Sequence, residues 1–165
     1  MTVETILTKE LLHNLFNYCD GILYWKNPTN KRIVKGSKAG SYDKDGYLII
    51  QFFGKKYKIH RLIFMMHYGY MPIQIDHINC NKSDNHISNL REANNTTNQQ
   101  NRKIQKNNKS GVKGVCWNKN MNQWMVRLRV NDETKYFGSY HDIQVAKFVC
   151  ETMRYKFHGK FANHG

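Results

Sequence analysis

The chain has 165 residues, enough for one domain or two small ones; its 40% hydrophobic and 13% aromatic content supports packed cores and excludes wholesale disorder. Its 26 Lys and Arg against 12 Asp and Glu give a net charge of +14, which points to a polyanionic partner, nucleic acid before a membrane surface. No apolar run approaches the roughly 20 residues of a spanning helix, and "MTVETILTKELL" lacks the basic start and long apolar centre of a signal peptide, so a cytoplasmic setting and no membrane partner are expected.

In chain order, Thr8 is a plausible N-cap for a short helix carrying Leu11, Leu12, Leu15 and Phe16 on one face and ending near Tyr18. "CDG" turns the chain into "ILYW", a predicted strand. "GYLIIQF" and "KKYKIH", separated by Phe53-Gly54, read as a hairpin, and "HRLIFMMHYG" switches to helical spacing that stops at Gly69. A polar stretch, "IDHINCNKSDNHISNL", follows. "ANNTTNQQNRK" opens with N-cap residues and continues as a polar helix. "KIQKNNKSG" has no periodicity and reads as a linker, 105–109. Beyond it, "GVKGVCWNKN", "QWMVRLRVN" and "ETKYFGSY" are three strand-like runs. "HDIQVAKFVCETMRYKFHG" is an amphipathic helix with Ile143, Ala146, Phe148, Val149, Met153 and Phe157 at roughly helical spacing. The four cysteines, Cys19, Cys80, Cys116 and Cys150, contain no C-x-x-C pair, which argues against zinc and, in a reducing compartment, against disulfides. Residues 1–109 carry +9 and the remainder +5, so both halves are basic.

The chemistry concentrates at Asp76-His77. Phosphodiester hydrolysis needs a general base for water and a divalent cation to neutralise developing charge. Mg²⁺ keeps most of its waters and takes only one or two protein oxygens, so a carboxylate, an amide oxygen and an imidazole suffice. Asp76, His77, Asn89 and Asn98 supply that set in the spacing D-H-x11-N-x8-N.

This spacing resembles the His-Asn-His (HNH) nucleases, most closely the small homing endonucleases of bacteriophage genomes and introns. The likeness covers residues 5–103, including an upstream "HR" helix of the phage type. It implies an α+β protein with a ββα-metal (His-Me finger) core at about 72–103 within a nuclease domain 1–104. It implies His77 as general base, Asp76 and Asn98 as metal ligands, and Asn89 bracing the loop and orienting the His ring. Asn98 at the third motif position favours Mg²⁺ or Mn²⁺, with no zinc expected. Asp76 and His77, as strand neighbours, diverge unless the strand bends there. Arg61, Arg91, Arg102 and Lys103 are candidates to grip phosphates, with Arg102 four residues after Asn98 and so on the same helix face. His60 reads as a packing residue of the "HRLIF" helix and His86 as a solvated loop residue.

Residues 110–163 resemble the plant Apetala/ethylene-response-factor DNA-binding domain through "GVKGV-W", "W-VRLRV", "YFGSY" and "HGKFAN". That likeness implies a three-stranded antiparallel sheet packed on one helix over 110–165, with Lys113, Trp117, Trp124, Arg127 and Arg129 facing double-stranded DNA. Arg127 and Arg129, two apart, share a strand face with Met125; the alternative for Trp117 and Trp124 is as core aromatics covering the helix. The expectation is thus a metal-dependent, homing-type DNA endonuclease, monomeric or homodimeric, with no small-molecule cofactor, in the cytoplasm of a bacterial host. The alternatives are a DNA-binding regulator with a degenerate nuclease motif, and an RNA-binding protein.

Overall fold

A computed structural model describes residues 7–165 as a mixed α/β protein with small antiparallel sheets. The chain divides into two compact units between Glu92 and Ala93.

The first unit opens with α1, Lys9–Leu15, whose N-cap Thr8 accepts a hydrogen bond from the Leu11 amide at 3.1 Å. The helix stops three residues short of the expected Tyr18. Phe16 turns extended, and β1 (Phe16–Cys19) pairs antiparallel with β2 (Ile22–Trp25) across Asp20-Gly21. Both turn residues have positive φ, 46° and 77°, the two-residue geometry whose twist matches a hairpin. The strand ladder therefore overrides the helical spacing of the leucines at this end. β3 (Ser41–Tyr42), β4 (Leu48–Phe52) and β5 (Lys55–Lys58) form a sheet in that order; β4 and β5 are the hairpin expected around Phe53-Gly54.

Helix α2, Ile59–Tyr68, follows directly and ends on Gly69 in the left-handed conformation, its amide donating to the Met65 carbonyl. Its apolar side meets Leu12, Phe16, Leu23 and Ile50 in one core. The Phe16 ring packs against Trp25 at 4.7 Å and Phe52 at 5.7 Å between centroids, binding the hairpin β1–β2 to the larger sheet. β6 (Gln74–His77) and β7 (Leu90–Ala93) pair as a two-stranded sheet, joined by a long polar loop with a 3₁₀ turn at Ile87–Asn89.

In the second unit, α3 (Asn95–Asn101) is capped by Asn94 and Thr97, each side chain accepting from the other's backbone amide. It ends at Asn101, two residues before the end of the polar run, with Arg102 out of helical geometry at ψ 142°. Residues 102–114 contain no helix or strand. β8 (Val115–Asn118), β9 (Gln123–Val130) and β10 (Glu133–Tyr140) form an antiparallel sheet with β9 central, and α4 (Ile143–His158) packs on it.

Alternation along β9 turns Val126, Leu128 and Val130 inward against Ala146 and Cys150. The buried row of α4 is Ala146, Cys150, Arg154 and His158, an i, i+4 series, whereas Phe148 is 70% exposed. Apolarity alone misplaces this face because two of its members are cationic types. They are held by main-chain oxygens: Arg154 donates to the Lys113 carbonyl, and the His158 Nε2 lies 2.9 Å from that of Arg129.

Candidate active site

Asp76 and His77 end β6 and are both 6% exposed. Adjacent strand residues point to opposite faces, so burying both requires cover on two sides. One side is Arg91 of β7. Its Nε and Nη2 donate to the same Asp76 Oδ2, at 2.9 and 2.7 Å. The other side is an aromatic and imidazole cluster. The His77 ring meets His60 of α2 edge to face at 5.0 Å between centroids, and Tyr47 lies 5.4 Å from His60 and 6.3 Å from His77. Lys58 and Lys82 place their ammonium groups 3.8 and 4.7 Å from the Tyr47 centroid, which gathers two cations beside the histidines.

His60 is 5% exposed, and its Nδ1 has no hydrogen-bond partner among the described residues. Burial pushes its pKa down to about 3, with His77, Lys58 and Arg61 adding repulsion. It is therefore a neutral ring at physiological pH, packed against His77 as the sequence suggests for a structural histidine.

The loop after His77 is ordered by its own amides. Asn89 is buried; its Oδ1 accepts from the Asn79 amide at 3.0 Å, and its Nδ2 donates to Asn79 Oδ1 at 3.0 Å and to the Asp84 carbonyl at 2.8 Å. These bonds close the loop across its neck. The group at the His77 ring is instead Asn85, whose Oδ1 lies 3.0 Å from His77 Nε2 and whose residue is 2% exposed. Sequence reading passed over Asn85 because it stands in a run of similar Asn and Ser residues, each able to make a turn. Only the closed loop singles it out.

The remaining candidates are distributed as follows. Asn98 lies on α3 and is half-buried, in the second unit, whereas Asp76, His77 and Asn89 all lie in the first. Arg61 donates to the Pro72 and Ile73 carbonyls at 2.8 and 3.3 Å, so it secures the approach to β6. Arg102 and Lys103 are exposed, past the end of α3. Lys113 directs Nζ at main-chain oxygens of Gln100, Arg102 and Asn163, which ties the segment after α3 to the C-terminal residues.

Arg127 and Arg129 are exposed on β9, where Arg127 reaches Cys116 Sγ at 3.2 Å and Arg129 lies 3.6 Å from Asp132. Trp117 and Trp124 are cross-strand partners, rings 4.9 Å apart. Their register follows Val115–Val126 by two residues, so both stand on the valine side of the sheet, where Trp124 packs against the core and Trp117 stays 42% exposed. The two arginines and the two tryptophans are thus on opposite faces.

Among the described residues no three His, Cys, Asp or Glu side chains gather into a ligand set. An ion held here would rest on the Asp76 carboxylate, whose Oδ2 already takes the two Arg91 bonds. None of the described helices is long and apolar enough to cross a membrane.

Residues 57–100, from the end of β5 through α3, match the model of an HNH endonuclease family, and Asp76, His77, Asn89 and Asn98 all fall within them. The chain carries an HNH endonuclease domain. It is 34% identical over 88 residues to Protein 3.8 of Escherichia phage T7, an alignment that covers 53% of this chain and 72% of the phage protein. The chain belongs to the family of that phage protein. No solved structure matches it.

Proposed function

We propose that the chain is a metal-dependent endonuclease of the homing type that hydrolyses phosphodiester bonds in double-stranded DNA. What carries the reading is the match over 57–100 together with Asp76 and His77 at one strand end, enclosed by Arg91 on one side and by His60 and Asn85 on the other.

In this reading His77 accepts a proton from the attacking water, and its burial limits competing solvation of the imidazole. Asp76, with Asn98 as second ligand, would hold Mg²⁺ or Mn²⁺. The bound cation supplies charge neutralisation at the phosphate and the leaving oxygen. Asn89 acts at a distance, through the loop it closes. Arg91 holds the Asp76 carboxylate in its place on β6, so its first duty is to the site rather than to a phosphate. Arg61 likewise serves the backbone, which leaves Arg102 and Lys103 as the exposed phosphate contacts of the group.

Residues 1–104 form the nuclease part, 105–109 a linker, and 110–165 an Apetala/ethylene-response-factor-like DNA-binding part. Three antiparallel strands with a helix behind them support the last assignment. The exposed face of β9, with Arg127 and Arg129, is its DNA-facing side, and a second grip on the same duplex raises the effective concentration of the first. Trp124 packs against the core instead, whereas Trp117 is exposed and remains a candidate DNA contact. The +14 charge favours a polyanionic substrate throughout.

Cleavage of DNA with Mg²⁺, its loss with EDTA, and its loss in His77→Ala together test the reading. Binding that persists while all three samples leave DNA intact would make the chain a regulator with an inert nuclease motif.

A further inference from the structure

We infer that Asn85 is a positioning residue that fixes the tautomer and orientation of His77. The inference rests on the proposed role of His77 as general base. It starts from proton accounting. An amide oxygen has lone pairs and no hydrogen, so a bond between Asn85 Oδ1 and His77 Nε2 requires the hydrogen on Nε2. The neutral ring then carries its lone pair on Nδ1, and a proton can be taken only there.

The geometry makes this preference rigid. Asn85 is 2% exposed, so water does not compete for its oxygen, and its loop is fixed on both flanks. On one flank, Asn89 holds the carbonyl of the preceding residue, Asp84, at 2.8 Å. On the other, the Ile87 amide donates to the Tyr18 hydroxyl at 3.1 Å. The loop also lies directly on the β1–β2 turn. A Cβ at Gly21 would stand 2.7 Å from the His86 nitrogen and 3.0 Å from the Asn85 carbonyl carbon, so only a glycine allows that approach. The His60 ring closes the remaining side of His77. Asn89 therefore acts two steps away, through the backbone that aims Asn85.

The test combines ¹⁵N NMR of the His77 ring with cleavage kinetics on the full chain. In the wild type, Nε2 should resonate as a protonated nitrogen and Nδ1 as a lone-pair nitrogen. Asn85→Leu, which removes the acceptor at similar volume, should give averaged ring shifts. It should also lower kcat on the order of 10- to 100-fold, as loss of an orienting partner does, with DNA affinity unchanged. Asn85→Asp keeps an oxygen acceptor and should restore the wild-type ring pattern. Unchanged ring shifts and kcat in Asn85→Leu would overturn the inference. So would a wild-type spectrum with the proton on Nδ1, which stands even if Asn85→Leu does not fold. The ring spectrum needs no cleavage, so a protein that shows the expected tautomer but never cuts DNA sinks the nuclease reading and not this one.

Discussion

His60 gives the sharpest physical prediction. It is buried against His77, and its pKa is lowered from 6.5 to about 3. Between those values the unfolded chain carries a proton on this imidazole and the folded chain does not. The unfolded state therefore binds more protons, and stability must fall as pH falls from 6.5 toward 3. Each pH unit in that window is worth about 1.4 kcal/mol, so acidification from pH 7.5 to 4.5 should remove about 2.5 kcal/mol through this one group. Replacement by leucine removes the titrating group from an otherwise apolar stretch of α2.

Urea unfolding of the first unit, followed through NMR resonances of α2 at pH 4.5, 5.5, 6.5 and 7.5, measures the effect in wild type and His60→Leu. The wild type should lose about 2.5 kcal/mol more than the variant over that range. Parallel pH profiles within about 0.5 kcal/mol would show that His60 protonates freely in the fold, and the claim of a neutral ring packed on His77 would fall.

Three other outcomes follow from the geometry. Asp76→Asn should abolish Mg²⁺-dependent cleavage while changing DNA affinity by less than about threefold, since one side chain among many cations contributes little phosphate contact; filter binding and a plasmid assay report the two separately. Asn89→Ala removes three hydrogen bonds from the loop neck and should cost about 3 kcal/mol of local stability. Faster hydrogen exchange at the Asn79 amide would register it, and unchanged protection would contradict the bracing role. Arg127→Ala should weaken binding and reduce the salt slope of log K by about one, whereas an unchanged slope would remove the exposed face of β9 from the DNA contact.

Much of the framework was legible where local signals agreed. Phe53-Gly54 between alternating apolar runs gave the β4–β5 hairpin, and Gly69 gave the end of α2, because turn chemistry is read within a few residues. Thr8 capped α1 as expected, yet the end of α1 was misjudged, since β1 pairing with β2 is a longer-range competitor that periodicity cannot see. The buried row of α4 was misplaced for a related reason. Phe148 has the more apolar side chain, but Arg154 finds the Lys113 carbonyl, and partners rather than polarity decided burial.

The candidate site divides in the same way. Asp76 and His77 were visible as an adjacent pair, and Asn89 as the bracing amide. Asn85 was not, because its significance comes from the loop closure that brings residue 85 onto residue 77. Arg91 reads in the sequence as a candidate to grip phosphates, and the pairing of β6 with β7 sets it on Asp76. Strand register, which only pairing fixes, separated Trp117 and Trp124 from the arginine face.

The central claim is hydrolysis by His77 with a cation held at Asp76, and phage genomic DNA incubated with the full chain tests it most directly. With Mg²⁺ the wild type should produce discrete fragments or nicks. EDTA should prevent them, and His77→Ala should bind the same DNA and leave it intact. Equal cutting by wild type and His77→Ala, or cutting that survives EDTA, would contradict the account.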